Sequence, residues 1–176
     1  MTAPRTTAKP RTKRKPGSQQ ADAALDSATR LPHALETSVP YLLARAGIRT
    51  GQAFTLELKQ FGLTLNDWRV CAALRNNPHQ RLMDLAQNTS VDASTLSRVV
   101  DGLLQRDLLV RERSSEDARA VALRLTPDGV DLLEKVIPLA QLYERVALAG
   151  IDAEQADLLR DMLRRIYDNM AVVERK

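Results

Sequence analysis

The sequence predicts a mainly α-helical chain that carries one small β-hairpin. Through most of the chain, apolar residues recur every three or four positions, which is the spacing of amphipathic helices. Only between residues 109 and 125 does this spacing give way to the alternation of a strand. Hydrophobic residues make up 44% of the chain and aromatic residues 3%, so Leu, Ala and Val must fill the core.

The N-terminal segment, residues 1–24, is expected to be a disordered basic arm. It is rich in Thr, Pro, Lys, Arg, Ser and Gln and offers almost nothing to bury. The first 16 residues hold six of the 26 basic side chains and no acid, which leaves 20 basic against 22 acidic side chains in the rest. The net charge of +4 therefore belongs to the arm, which either attracts phosphates in a salt-dependent way or keeps the protein soluble.

A long first helix is predicted within residues 31–60. Ser38 is suited to its N-cap, and Gly62 ends the helix. Thr64 and Asp67 then form a capping-box pattern, with Asp in place of Glu, that opens the next helix.

Two shorter helices follow. The first covers roughly residues 81–88, and Asp92 is the N-cap of the second. The second helix has one apolar stripe with the spacing i, i+3, i+4 and i+7, which predicts a single buried face. The members of the stripe are Leu96, Val99, Val100 and Leu103.

A hairpin and two further helices complete the chain. Residues 109–113 and 121–125 each alternate like a strand, with a polar loop between them. A two-stranded hairpin is marginal unless it packs on helices. Thr126 caps a helix that is expected to reach Gly150, and a second capping box at Asp152 opens the last helix.

The order short helix, turn, helix, strand, loop, strand is that of a winged helix-turn-helix, whose second helix enters the DNA major groove. That helix begins with short hydroxyl side chains, which can approach base edges without clash, and Arg98 can reach a guanine or the backbone. In the loop, Asp117 can orient Arg119 toward the narrow minor groove. The predicted DNA contacts are Arg81, Ser94, Thr95, Ser97, Arg98, Arg113, Asp117 and Arg119.

Five motifs occur in the order and at the spacing of the multiple-antibiotic-resistance regulators, the MarR family, which the sequence resembles from about Gly62 to Gly129. They are Gly62-Leu-Thr-Leu-Asn-Asp-Trp-Arg69, Leu82-Met-Asp-Leu-Ala86, Ser94-Thr-Leu-Ser-Arg98, Leu109-Val-Arg-Glu-Arg113, and Glu116-Asp-Ala-Arg119 followed by Leu123-Arg-Leu-Thr-Pro-Asp-Gly129. The family usually has Gly just before the first wing strand. This chain has Asp107 there, a residue that tolerates left-handed backbone.

The resemblance implies a homodimeric transcriptional regulator, with repression as the expected outcome. The winged domain would span residues 62–126, and the helices at 31–60 and 127–176 would form the dimer interface. The broad apolar stripe of the last helix suits that role. Two winged domains related by a two-fold axis would then bind a pseudo-palindromic operator in double-stranded DNA.

The resemblance also implies an effector site between the dimerisation helices and the winged domain. The candidate ligand-binding residues are Tyr41, Arg45 and Arg49 on the first helix and Trp68 on the next. Arg45 and Arg49 share a helix face, and an arginine pair beside an aromatic ring suits an aromatic carboxylic acid or the phosphates of a CoA thioester. Such a compound is expected to release the protein from DNA, as in hydroxycinnamate catabolism. The alternative is that these residues bind no ligand, with Arg45 and Arg49 on a solvated helix face and Trp68 in the core.

Two other functions stay open. A peroxide-sensing regulator would use Cys71, although its position beside Val70 on the second helix favours a core residue. The other is a non-catalytic protein-interaction module in which the wing has no role in DNA binding. Replacement of Arg119 by Ala would separate the two functions, since an unchanged affinity for DNA would favour the interaction module.

Several classes are not expected. The sequence has no Gly-rich phosphate loop, no nucleophile–base pair and no metal-ligand spacing, so an enzyme, a cofactor and a metal site are not expected. No stretch approaches about 18–20 apolar residues and no signal peptide is recognisable, so neither membrane insertion nor secretion is expected. The single cysteine suits the reducing cytoplasm.

Overall fold

The computed structural model of the protein describes residues 34–113 and 121–171. The predicted basic arm, residues 1–24, lies outside these ranges. So do Asp117 and Arg119 of the predicted loop.

Two compact units make up the chain, Met1–Ala44 and Arg45–Lys176. The smaller unit contains a 3-10 turn at Leu35–Thr37 and the first residues of a long helix. The larger unit contains the rest of that helix and every element that follows.

Six α-helices and one hairpin form the described part of the chain. The elements are α1 (Val39–Leu58), α2 (Leu65–Asn76), α3 (Leu82–Thr89), α4 (Ala93–Gln105), β1 (Leu109–Arg113), β2 (Val121–Leu125), α5 (Pro127–Ala147) and α6 (Ala153–Met170). The strands are antiparallel, with Leu109 opposite Leu125 and Arg113 opposite Val121. The predicted fold class, helical with one hairpin wing, is confirmed. Within the two described ranges, none of the helices combines the length and the apolar character needed to cross a bilayer.

The two predicted capping boxes form. The Asp67 N–H donates to Thr64 Oγ1 at 3.1 Å, and the Thr64 N–H donates to the Asp67 carboxylate at 2.8 Å. Asp152 and Gln155 make the same reciprocal pair at the start of α6. After α1 a 3-10 turn leads to Gly62, whose φ of +64° is a left-handed conformation that glycine adopts without strain.

The end of α5 differs from the expected position. The helix continues past Pro138 but stops at Ala147 rather than at Gly150. The intervening residues form a turn, and Gly150 itself has a φ of +84°. The glycine therefore belongs to the connection to α6 and not to the helix.

The core of the larger unit is built mainly from leucine and valine. Leu96, Val100 and Leu103 of α4 are each at most 1% exposed, so the predicted stripe does face inward. Val99, the fourth predicted member, is only half-buried. The same helix therefore turns its opposite, polar face to solvent.

Gln80 ties the hairpin to the helices beside it. Its carbonyl oxygen accepts the Leu123 N–H of β2 at 2.8 Å. Its buried side-chain amide donates to the carbonyl oxygens of Ala73 and Asn77 at 2.8 and 2.6 Å, and accepts from the Asn88 amide at 2.6 Å. One residue thus joins α2, α3 and β2 through four hydrogen bonds.

The hairpin is also fixed where it meets α4 and α5. Asp107 has a φ of +55°, so the left-handed turn that Gly usually provides here is made by Asp, as predicted. The Thr126 hydroxyl donates to the Asp107 carbonyl oxygen at 2.6 Å. A Cβ on Gly129 would lie 2.2 Å from the Leu108 carbonyl oxygen, so only glycine fits.

Candidate functional site

Helix α4 presents a polar face on the side opposite its buried stripe. Ser94, Arg98 and Asp101 are exposed, and Thr95 and Ser97 are half-buried. Short hydroxyl side chains occupy the first turn, and a cation follows one turn later. This composition suits entry into a major groove, which admits one α-helix.

Asp92 caps the N-terminus of α4, as predicted. Its Oδ1 atom accepts a hydrogen bond from the Ser94 hydroxyl at 2.6 Å and from the Thr95 N–H at 2.9 Å. These hydrogen bonds, that from Ser94 above all, hold the pKa of the Asp92 carboxyl well below its usual range. Asp92 is therefore ionised at neutral pH, and α4 begins beside a negative charge.

Arg98 leans back along α4 toward its N-terminus. Its Nε atom lies 3.4 Å from the Ser94 carbonyl oxygen. The two residues are four positions apart and are therefore neighbours on one helix face. Because the guanidinium is exposed, its other N–H groups can donate to a base edge or a phosphate.

Two arginines of the hairpin are neutralised by carboxylates. Arg111 of β1 donates to Asp101 of α4 at 2.8 Å, and Arg124 of β2 donates to Glu112 of β1 at 2.6 Å. The hydrogen bond from Arg124 lowers the pKa of the Glu112 carboxyl and raises the pKa of the guanidinium. Such partly exposed pairs contribute little stability. They do cancel charge, so these two arginines offer little net attraction to DNA.

The other predicted DNA contacts lie around α4. Arg81 is exposed at the N-terminal end of α3, and Arg113 is exposed at the last position of β1. Within the part of the chain that the structure describes, no carboxylate forms an ion pair with Arg98 or Arg113. Asp117 and Arg119 lie outside that part. Which of these side chains touch DNA stays a prediction.

A cavity of about 360 Å³ opens between α1, α2 and α5 within the larger unit. This volume is in the range of small-molecule binding sites. The lining residues are Gly47, Thr50, Gly51 and Phe54 of α1, Leu65, Trp68 and Arg69 of α2, and Ala140, Tyr143, Glu144 and Ala147 of α5.

Three aromatic rings form one wall of this cavity. The centroids of Phe54 and Trp68 are 5.4 Å apart with the rings edge to face, and the Tyr143 ring lies 5.4 Å from Phe54 in a tilted arrangement. The Tyr143 hydroxyl lies 3.3 Å from a Glu57 carboxylate oxygen. Burial, with a further contribution from the Glu57 charge, raises the pKa of the Tyr143 phenol. The wall is therefore neutral and preformed, and it can stack against an aromatic ligand.

The charged residues at the cavity have different surroundings. Glu144 accepts a hydrogen bond from Arg160 at 2.8 Å, which neutralises the carboxylate. Among the residues described, no carboxylate forms an ion pair with Arg69, which is exposed. Arg69 is therefore the lining residue best suited to bind a ligand carboxylate.

Of the four predicted ligand-binding residues, the cavity contains Trp68. Arg45 and Arg49 are exposed and lie about 100–180° around α1 from the cavity-lining residues, because each helical residue turns by about 100°. Tyr41 is half-buried and belongs to the smaller unit. The role of these three residues in ligand binding stays a prediction.

Sequence reasoning missed three lining residues, Arg69, Phe54 and Tyr143. Gly47 and Gly51 could have indicated the correct face of α1, because two glycines four residues apart leave room for a ligand. Tyr143 offers no such signal, because it is distant from α1 in the sequence and the two meet only in the folded chain.

Cys71 is a core residue. It is 3% exposed, and burial, reinforced by the nearby charge of Asp67, raises the pKa of its thiol to about 12. Because the thiolate is the form that reacts with peroxides, this environment opposes redox sensing. The interpretation of Cys71 as a small buried hydrophobe is supported.

Comparison with known proteins agrees with this geometry. A family model described as the MarR family matches residues 61–120, which hold α2, α3, α4 and β1. The transcriptional repressor NicR of Pseudomonas putida is 26% identical over 138 residues, which cover 78% of this chain and 87% of NicR.

Two solved structures extend the comparison. BpsR of Bordetella bronchiseptica, whose DNA binding is regulated by 6-hydroxynicotinic acid, is 29% identical with a TM-score of 0.69, covering 78% of this chain and 99% of its own. The transcriptional repressor CouR, bound to a 23-mer DNA duplex, is 28% identical with a TM-score of 0.66, covering 76% of this chain and 94% of its own. Residues 61–120, which carry the polar α4 face and the first strand of the hairpin, thus match the MarR family of DNA-binding transcriptional regulators, and the whole winged helix-turn-helix resembles that family.

Proposed function

We propose that this protein is a dimeric repressor that binds a pseudo-palindromic operator and is released by an aromatic carboxylic acid or its CoA thioester. The observation that carries the proposal is the preformed aromatic cavity with Arg69 at its edge, in the same compact unit as α4. The relatives NicR, CouR and BpsR support it, since NicR and CouR are repressors and the DNA binding of BpsR is regulated by an aromatic acid.

In the proposed dimer, each subunit binds DNA through its own winged domain, residues 62–126. The helices at 31–60 and 127–176 would pair two copies about a two-fold axis. In such a dimer two α4 helices enter successive major grooves on one side of the duplex. Selection of binding sites from random DNA should therefore yield inverted repeats whose half-site centres are about 10 base pairs apart.

Effector binding is proposed to use the cavity between α1, α2 and α5. The ring of the acid would stack on the aromatic wall while Arg69 binds its carboxylate through paired hydrogen bonds. A 10- to 100-fold loss of operator affinity on ligand binding requires about 1.4–2.8 kcal/mol of coupling. A modest change in the separation of the two α4 helices would supply that amount.

The effector proposal can be tested with the intrinsic fluorescence of Trp68, the only tryptophan in the sequence. Titration with hydroxycinnamates, benzoates and 6-hydroxynicotinate should change the fluorescence and release a labelled operator over the same concentration range. Arg69→Gln should weaken both effects, whereas Arg49→Gln should leave them unchanged because Arg49 lies on the other side of α1. If only Arg49→Gln weakens binding, the ligand lies outside this cavity. If no aromatic acid or thioester acts, the proposed effector class is wrong.

A further inference from the structure

The hydroxyl hydrogen of Ser94 is already engaged before DNA arrives. Ser94 Oγ lies 2.6 Å from Asp92 Oδ1, and the ionised carboxylate has no proton to give. The hydrogen between the two oxygens therefore comes from Ser94. The same carboxylate oxygen accepts the Thr95 N–H, which keeps Asp92 in place.

At the start of α4, the paired side chains of Asp92 and Ser94 consequently offer only acceptors to a partner. A serine hydroxyl has one hydrogen and two lone pairs, and the Asp92 contact uses the hydrogen. The lone pairs of Ser94 remain available as acceptors. The negative charge at this helix end also opposes the binding of a phosphate, which the helix dipole alone would favour.

We propose that Asp92 fixes the Ser94 hydroxyl as an acceptor, so that Ser94 selects a base with an amino group in the major groove. This inference depends on the proposed entry of α4 into that groove. The amino groups there belong to adenine N6 and cytosine N4. Guanine and thymine present acceptors at the corresponding positions, so the same surface rejects them. Ser94 is the specificity-determining residue, and Asp92 is a positioning residue that acts through it.

Arg98 provides the opposite chemistry one turn further along α4. Its exposed guanidinium offers only donors, which suit guanine O6 and N7. Four residues of helix advance by about 6 Å, which is roughly two base-pair steps of 3.4 Å. Each half-site should therefore contain an adenine or cytosine about two steps from a guanine.

The test is binding-site selection with the full chain and four variants. Ser94→Ala should lose the adenine or cytosine preference at one position and retain the guanine, whereas Arg98→Ala should do the reverse. Asp92→Ala should relax the amino-group preference because the freed hydroxyl can also donate. Asp92→Asn keeps an acceptor for Ser94 and Thr95, so it should restore the fold of the helix start, while its added N–H₂ group broadens the preference.

Base analogues give the sharper reading. Removal of the single amino group, by replacing adenine with purine or cytosine with 2-pyrimidinone, should weaken the wild type about 3- to 10-fold and leave Ser94→Ala unchanged. Equal losses in the two proteins, or selection of guanine or thymine at the Ser94 position, would overturn the inference while operator binding stands. Absence of any selected inverted repeat would instead contradict the proposed function.

Discussion

Gly129 shows how closely the hairpin and α5 approach each other. A Cβ at this position would meet the Leu108 carbonyl oxygen at 2.2 Å, and that oxygen also accepts the Thr126 N–H at 3.1 Å. The nearest atoms belong to the Leu108 backbone, which cannot move away as the end of a flexible side chain could. Gly102 in the middle of α4 is the opposite case, because a Cβ there would meet nothing within 4 Å.

Alanine at these two glycines should therefore have opposite effects. Gly129→Ala should lower the free energy of unfolding by about 1–3 kcal/mol, because backbone must shift to admit the methyl group. Gly102→Ala should raise it by up to about 1 kcal/mol, because alanine favours the helix. Urea denaturation of both variants measures the two effects. A stable Gly129→Ala protein would show that the close approach is wrong.

Cys71 should be unreactive in the folded protein. Because burial raises its pKa from 9.0 to about 12, the folded state favours the neutral thiol. Its contribution to stability is therefore complete below pH 9 and is lost as the pH rises from about 9 toward 12. An aromatic disulfide reagent at pH 8 should label Cys71 only after denaturation. Hydroperoxide should not release the operator, and Cys71→Ala should behave like the wild type; release that depends on Cys71 would support a peroxide sensor.

At the scale of elements, the attachment of the wing depends on Gln80. Gln80→Ala removes three side-chain hydrogen bonds and leaves the carbonyl oxygens of Ala73 and Asn77 without this donor. The free energy of unfolding should fall by about 1–3 kcal/mol. Amide hydrogens of β2 should also exchange faster with solvent. Gln105→Ala, at the exposed end of α4, is the matched control and should be close to neutral; equal effects in the two variants would contradict the role of Gln80.

The elements were predictable where their signals are local in sequence. Thr64 with Asp67, and Asp92 alone, cap helices because a side chain reaches a backbone N–H only a few residues away. The left-handed backbone of Asp107 was predictable because a glycine usually stands at this position, just before the first strand. The three hydrogen bonds of the Gln80 side chain leave no pattern in the sequence.

The site was predictable only in part for the same reason. Trp68 lines a cavity, although its role in ligand binding stays a prediction, and spacing alone could not tell which face of α1 looks toward that cavity. Arg45 and Arg49 lie on the other face, and Arg69 is the cation that lines the cavity. The cavity-facing side of α1 is set by the helices that lie against it, and one of these, α5, is distant in the sequence.

At the scale of the molecule, α6 carries an apolar stripe that the described residues, 34–113 and 121–171, leave exposed. Leu158, Met162, Tyr167 and Met170 are each about half exposed, at 55, 48, 60 and 55%. A contiguous exposed apolar patch of this kind marks an interaction site. The proposed dimer would bury it against the second copy.

Lysine substitution on α6 tests that assignment. Met162→Lys should dissociate the dimer, because a charge would be buried at the interface. The neighbouring Asp161→Lys introduces the same side chain on the charged face and should leave the dimer intact. Sedimentation equilibrium with both variants distinguishes the faces. If both remain dimeric with unchanged affinity, the stripe is not the interface.

The central claim is that operator and aromatic acid act on one equilibrium of a single protein. Linkage then requires the acid to weaken operator binding by the same factor by which the operator weakens acid binding. Calorimetric titration of the most active acid into the free protein and into the protein–operator complex measures that factor directly. We predict an affinity lower by about 10- to 100-fold in the complex, equal to the loss of operator affinity at saturating acid. Equal acid affinities in the two titrations would contradict the account.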